Sequence, residues 1–295
     1  SERPIIDGNF AREYGIFISS AKYMSIKGFE IRNLKSATRS ATGIFLGSAS
    51  SDVTIENNII HRIIGLGDNA YAAKGIRVLN SRNITIRNNT VFELVGDSES
   101  MGIQIDGGQN VLVQKNLTYL ADKEGIRLIT QDTETANIVE DNISLYNHVG
   151  ISINNARTSD QIITRNNFTG WNWGLGIQNK HTRNSRIEHN TIVQNGKYGL
   201  DIHGNGTASG DNYLPVVEDN IFSGNTRAWW LNKYEIEGET VNYNFYDNTA
   251  PESIFGQFDW SNSHIMYDLS DIQSISSGDA NVNGPYETNG MEGSP

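Results

Sequence analysis

The 295-residue chain contains no cysteine. Disulfides, thiolate metal sites and cysteine nucleophiles are therefore excluded. Positive charge is scarce, since 23 Lys and Arg against 34 Asp and Glu give a formal net charge of −11. A phosphate backbone needs a basic face, so nucleic acid is not an expected partner. No apolar stretch approaches membrane-spanning length and no signal peptide is present, so membrane insertion is not expected either. Walker loop, dinucleotide fingerprint and the paired-histidine helix of zinc proteases are all missing. The six histidines (His61, His148, His181, His189, His203 and His264) do not cluster; only His181 and His203 share a region. Calcium, held by Asp and backbone oxygens, is the one metal left open.

What the chain has is a repeat. Gly-apolar-X-apolar begins at Gly15, Gly43, Gly75, Gly102, Gly125, Gly150, Gly174 and Gly199, with 23 to 32 residues between starts. That period is too short for strand-helix-strand crossovers and long enough for three short strands with their turns. The expected fold is all-β: a right-handed parallel β-helix with three short sheets and about eight to nine rungs, the hand following from the crossover rule. Asn58, Asn89, Asn116, Asn142, Asn167, Asn190 and Asn220 each follow the second apolar pair of their unit and predict an asparagine ladder. Asn tolerates the left-handed corner conformation, and its amide can bond its counterpart one rung away.

The expected division is β-helix over residues 1–228 and an irregular segment over 229–295 that packs on the last rungs and caps them. A solenoid needs capped ends, and the chain opens directly on a strand-like run, so it is expected to be part of a larger protein. Abundant Asn, Gly, Ser and Thr without Cys fit a secreted or cell-surface location.

Side chains alternate along a strand, so the outward residues of the glycine-led strands form two columns. The first reads Phe17, Phe45, Arg77, Gln104, Arg127, Ser152, Gly176 and Asp201; the second reads Ser19, Gly47, Leu79, Asp106, Ile129, Asn154, Gln178 and His203. Rungs lie about 4.8 Å apart and the columns about 7 Å, which gathers a polar strip on one sheet. Lys74, Glu124 and Tyr198 precede their glycines at the sheet edge. This register takes Gly174 as the seventh start, because starting at Gly176 would send Asn179 into the apolar inward column. Lys180 then sits at a strand end beside His203. Residues 35–42, 65–74 and 96–101 carry the surplus length of their units and are expected to wall the sheet. Trp171 and Trp173, with Tyr198 one rung above, are either a sugar platform or core packing.

A loop-walled β-helix groove lined with Arg, Lys, His, Asp and aromatics resembles the pectate-lyase-like superfamily of polysaccharide lyases, epimerases and hydrolases. The glycine and asparagine repeats that carry the resemblance cover about residues 15–228. Gly176-Ile-Gln-Asn-Lys180 resembles the Gly-Phe-x-x-Lys motif that holds the lysine base of one pectate lyase family, with only Gly and Lys matching. That family's acidic calcium loop is replaced here by Trp171-Asn-Trp-Gly, and the Asp-Pro-His motif of alginate epimerases is missing. The resemblance implies a lyase of an acidic, uronate-containing polysaccharide. Such enzymes need a cation or amide to neutralise the carboxylate and a base to take the neighbouring proton. Lys180 or His203 is the expected base, with Arg127 and Gln104 or Asn154 on the carboxylate. Arg77, Gln178, Asp106, Asp201, Trp173 and Tyr198 are expected to bind the sugars. Two alternatives stand beside this. One is a glycoside hydrolase using Asp106 with Glu124; the other is a non-catalytic carbohydrate-binding or adhesive module.

Overall fold

A computed structural model describes residues 2–38, 40–66, 72–96, 99–130, 137–154, 162–180, 182, 185–203, 216–232, 240–247, 255–258, 264–267 and 291–292. The chain winds as a right-handed parallel β-helix of three sheets, and the described residues contain no helix. The glycine-led sheet pairs ten strands in parallel: Tyr14–Ile18, Ala41–Leu46, Ala73–Leu79, the first half of Met101–Gln114, Glu124–Thr130, Val149–Asn154, Leu175–Lys180, Tyr198–His203, Arg227–Asn232 and Phe255–Phe258. A second sheet follows the first nine of these strands, Phe255–Phe258 pairing antiparallel with His264–Tyr267 instead, and an eleven-stranded third sheet closes the turns. Met101–Gln114 runs through both the first and second sheets.

The hydrophobic period accounts for the stack. Ile76, Val78, Ile103, Ile105, Ile126, Leu128, Ile151 and Ile153 point into the coil and are buried, each above its counterpart one rung below. Full burial of one such side chain contributes about 1.5–3 kcal/mol. Rungs also continue beyond residue 228. Arg227–Asn232 pairs with Tyr198–His203, Thr240–Asn242 with Val216–Glu218, and Phe245–Asp247 with Ile221–Ser223, all in parallel. The boundary expected at 228 therefore does not fall there. Trp229 takes the inward position of Leu200, and Trp230 the outward position of Asp201, without the glycine that marked earlier rungs. Most of 233–295 lies outside the described residues, including the expected cap.

The asparagine ladder runs unbroken from Asn58 to Asn244, one rung longer than expected. Each Nδ2 donates to the next Oδ1 at 2.9–3.0 Å. The left-handed backbone lies one residue earlier, at Asn57, Asn88, Lys115, Asp141, Asn166, His189, Asp219 and Tyr243. Conformational tolerance is thus not what selects the ladder asparagines. Hydrogen bonding is: Asn116 also donates to the carbonyls of Ile86 and Gln114, which the corner would otherwise leave unpaired.

A second ladder joins Asn147, Asn172, Asn195 and Asn225 at the corner before the glycines. Each of its members lies five residues beyond a first-ladder asparagine, a regularity present in the sequence and missed there. Asn172 is buried between Trp171 and Trp173 and sends them apart. Trp171 lies against Tyr146 with 5.9 Å between centroids, and Trp173 against His148 at 4.3 Å.

Candidate functional site

The seventh rung corrects the expected register. Ile151 faces Ile177, Ser152 faces Gln178, Ile153 faces Asn179 and Asn154 faces Lys180, so Gly176 leads this strand, not Gly174. Asn179 is indeed inward, and its burial is tolerated because its Nδ2 donates to Ser185 Oγ at 2.8 Å and its Oδ1 accepts from the Thr182 hydroxyl. Three residues near the end of the strand thus satisfy one another inside the coil. Gly174 has a different task. A Cβ there would lie 2.3 Å from His148 Cδ2, so only glycine lets the turn close over the imidazole.

Register decides who meets whom. Gln178 moves into the first outward column between Ser152 and Asp201, and Lys180 moves into the second, directly between Asn154 and His203. His203 keeps that backbone position, while its side chain lies outside what the structure describes. The first column begins with stacked Phe17 and Phe45, 5.0 Å apart, and turns polar only from Arg77 onward.

A hollow of about 540 Å³ opens on this sheet over the fifth to eighth rungs. Arg127, Gln178 and Asp201 form its floor, Asn154 and Lys180 one flank, and Glu124, His148, Lys197, Tyr198 and Lys123 the other. Seven of the expected site residues line it or reach it by register: Arg127, Asn154, Gln178, Lys180, Tyr198, Asp201 and the backbone of His203. Arg77, Gln104 and Asp106 do not line it. They engage one another on the third and fourth rungs, where Gln104 Nε2 donates to both Asp106 oxygens at 3.0 and 2.8 Å and Arg77 Nη2 sits 3.4 Å from Asp106 Oδ2. Trp173 stays outside the lining and backs His148. Of the expected walls, residues 39, 67–71 and 97–98 lie outside the described residues.

The sequence reading missed Lys123, Lys197, His148 and Glu99. His148 is held by its turn: Ser144 Oγ donates to the Gly150 carbonyl at 2.7 Å, and Asn147 accepts from the Ala121 amide at 3.0 Å. Burial, with Lys197 and Lys123 nearby, pushes the His148 pKa below its ordinary 6.5. The imidazole is therefore neutral at neutral pH. Among the described residues Lys180 and Lys197 make no ion pair, whereas Lys123 Nζ lies 3.2 Å from Glu99 Oε1. Arg127 Nη1 sits 3.6 Å from both Glu99 Oε2 and Glu124 Oε2. Burial opposes the Glu99 charge, but its hydrogen bond from Lys123 and the nearby Lys74 and Arg127 hold its pKa below the usual carboxylate range.

The carboxylate pair expected for a hydrolase does not form. Glu124 is level with Met101 and Asp106 with Ile129, so the two are five positions apart along the strands, about 16 Å at strand rise. The hollow's two carboxylates, Glu124 and Asp201, face Arg127 and Gln178, and no three acidic or histidine ligands gather among the described residues.

The family described as right handed beta helix region matches this chain over residues 14–170 and again over 102–264. The chain belongs to that family. None of the curated proteins matches it in sequence. Among solved structures, this right-handed β-helix is similar to the Dettilon tailspike protein at 12% identity and a TM-score of 0.51, over 86% of this chain. It spans 55% of the tailspike's length. The A-module of the Azotobacter vinelandii mannuronan C-5 epimerase AlgE6 is similar at 14% identity and a TM-score of 0.48, over 94% of this chain and 79% of the module. The DFA-IIIase of Arthrobacter chlorophenolicus A6 in complex with DFA-III is similar at 9% identity and a TM-score of 0.35, over 90% of this chain and 67% of that one. At these identities the likeness concerns the fold.

Proposed function

We propose that the hollow binds an acidic, uronate-containing polysaccharide and cleaves it by β-elimination. One observation carries the reading: Lys123, Arg127, Lys180 and Lys197 converge on a single hollow in a chain of net charge −11. A surface kept polar only for solubility would not gather its cations there. Lys180, without an ion pair among the described residues and flanked by the amides of Asn154 and Gln178, neutralises the uronate carboxylate. This acidifies the adjacent C5 proton. The neutral His148 on the opposite flank accepts that proton, and the electron pair left on C5 forms the C4–C5 double bond as the C4 oxygen departs. Arg127, shared by Glu99 and Glu124, contributes field more than a free binding arm. Lys180 thus remains in the site with a changed role, and His148 replaces it as base because it is already unprotonated.

The protein is incubated with polygalacturonate, alginate and glycosaminoglycans while the ultraviolet absorbance of unsaturated uronate is followed. Absorbance should appear with at least one polymer, and His148→Ala should lower turnover about a hundredfold or more. A base that is protonated below its depressed pKa works only above it. The rate should therefore rise through a midpoint below 6.5 and be level by neutral pH. A rate that keeps climbing into the alkaline range would return the proton to Lys180. Absence of absorbance with all the polymers would remove the lyase reading.

A further inference from the structure

A second, independent feature lies on another edge of the coil. At the corner between the glycine-led and second sheets, four equivalent positions carry left-handed backbone: Tyr23 (φ 54°), Asp52 (58°), Asn83 (54°) and Asn110 (51°). Asp and Asn suit that conformation; a bulky aromatic residue does not. Tyr23 accepts the strain without burying anything, since it is 83% exposed. The coil imposes this backbone at every rung of the corner, so what marks Tyr23 is its open aromatic ring.

The surroundings suit a saccharide. Asn110 donates to Asn83 Oδ1 and Asn83 to Asp52 Oδ1, both at 2.9 Å, so one line of amides follows the rungs away from the Tyr23 ring. That hydrogen bond from Asn83, first among the causes, holds the Asp52 pKa below its ordinary value. Beside the line, one position earlier, stand the exposed Lys22, Arg82 and Gln109. Two adjoining hollows of about 520 and 470 Å³, which share Arg82 and Gln109, follow this corner. The corners here are tight, whereas the connections after the fifth to eighth glycine-led strands are longer.

We propose that this corner is a second saccharide-binding groove, in which an anionic sugar chain stacks a ring on Tyr23 and sets its charges against Lys22 and Arg82. The amide line offers donors and acceptors at rung spacing for hydroxyl groups. The groove does no chemistry. It shares with the proposed function only the acidic character of the polymer.

Affinity electrophoresis in gels containing polygalacturonate or alginate tests this, with hydroxyethyl cellulose as the neutral contrast. The protein carrying His148→Ala and Lys180→Ala serves as background, so that no turnover interferes. Tyr23→Asn and Arg82→Ala should each weaken retardation roughly tenfold in one acidic gel. Tyr23→Asn should also raise the melting temperature, because Asn relieves the backbone strain. That rise shows that lost binding is not lost folding. Unchanged retardation of both variants, or equal retardation in the neutral gel, would overturn the groove. The hollow is judged separately by unsaturated product from otherwise unaltered protein, so either site can fail while the other stands.

Discussion

Lys74 is a lysine almost without solvent. It is 3% exposed, and its Nζ donates to the Glu99 carbonyl at 2.9 Å and contacts Met101 Sδ at 3.5 Å. Burial, reinforced by Arg77, pushes its pKa down from 10.5 to about 8. Keeping that ammonium charged costs roughly 3 kcal/mol. Between about 8 and 10.5 the unfolded chain holds the proton that the folded chain has released, so stability rises with pH across this window. Lys74→Met should therefore be more stable than the parent at pH 7 in urea unfolding, and the gap should shrink as pH passes from 8 toward 10.5. A gap independent of pH would show that Lys74 is not a buried cation. Residue identity made the first ladder legible, because Asn recurs at one place in every unit. It hid Asn179 and Asn172, whose partners Ser185, Thr182 and Asn195 are fixed only once the coil closes.

At the scale of the strand, glycine does steric work. A Cβ on Gly102 would lie 2.4 Å from the Gly125 carbonyl oxygen and 3.0 Å from Thr118 Cγ2, so successive rungs could not approach at the corner. Gly102→Ala should cost about 2–3 kcal/mol or more in denaturant unfolding. A cost near zero would mean that the corner yields. The same crowding explains why the glycine pattern announced the fold so plainly. Where two glycines lay two residues apart, at 174 and 176, parity was the same for both and the apolar character of the inward column favoured the wrong one. The structure prefers Gly176 because the Gly199 carbonyl oxygen would meet its Cβ at 2.6 Å, while Gly174 makes room for His148. That two-residue slip separated Lys180 from its column. The lining that arises from turns, namely Lys123, His148 and Lys197, was illegible because parity rules speak of strands alone.

At the scale of the whole molecule, the coil turns a linear repeat into a surface divided by charge. The polar strip expected from Arg77 to His203 is two regions. One is a self-neutralised group of Arg77, Gln104 and Asp106; the other is a cationic hollow from Arg127 to Lys180. The cationic hollow should bind an acidic ligand in a manner that salt weakens. The most direct measurement is a calorimetric titration with uronate hexasaccharides, at low and high salt, of the parent protein and of the protein carrying both Lys180→Ala and Lys197→Ala, the two lining cations without an ion pair among the described residues. The parent should bind one of these oligosaccharides, more weakly at high salt, and the double variant should lose at least tenfold in affinity while melting at nearly the same temperature. Equal affinity in the two proteins would contradict the hollow as the place where the saccharide sits.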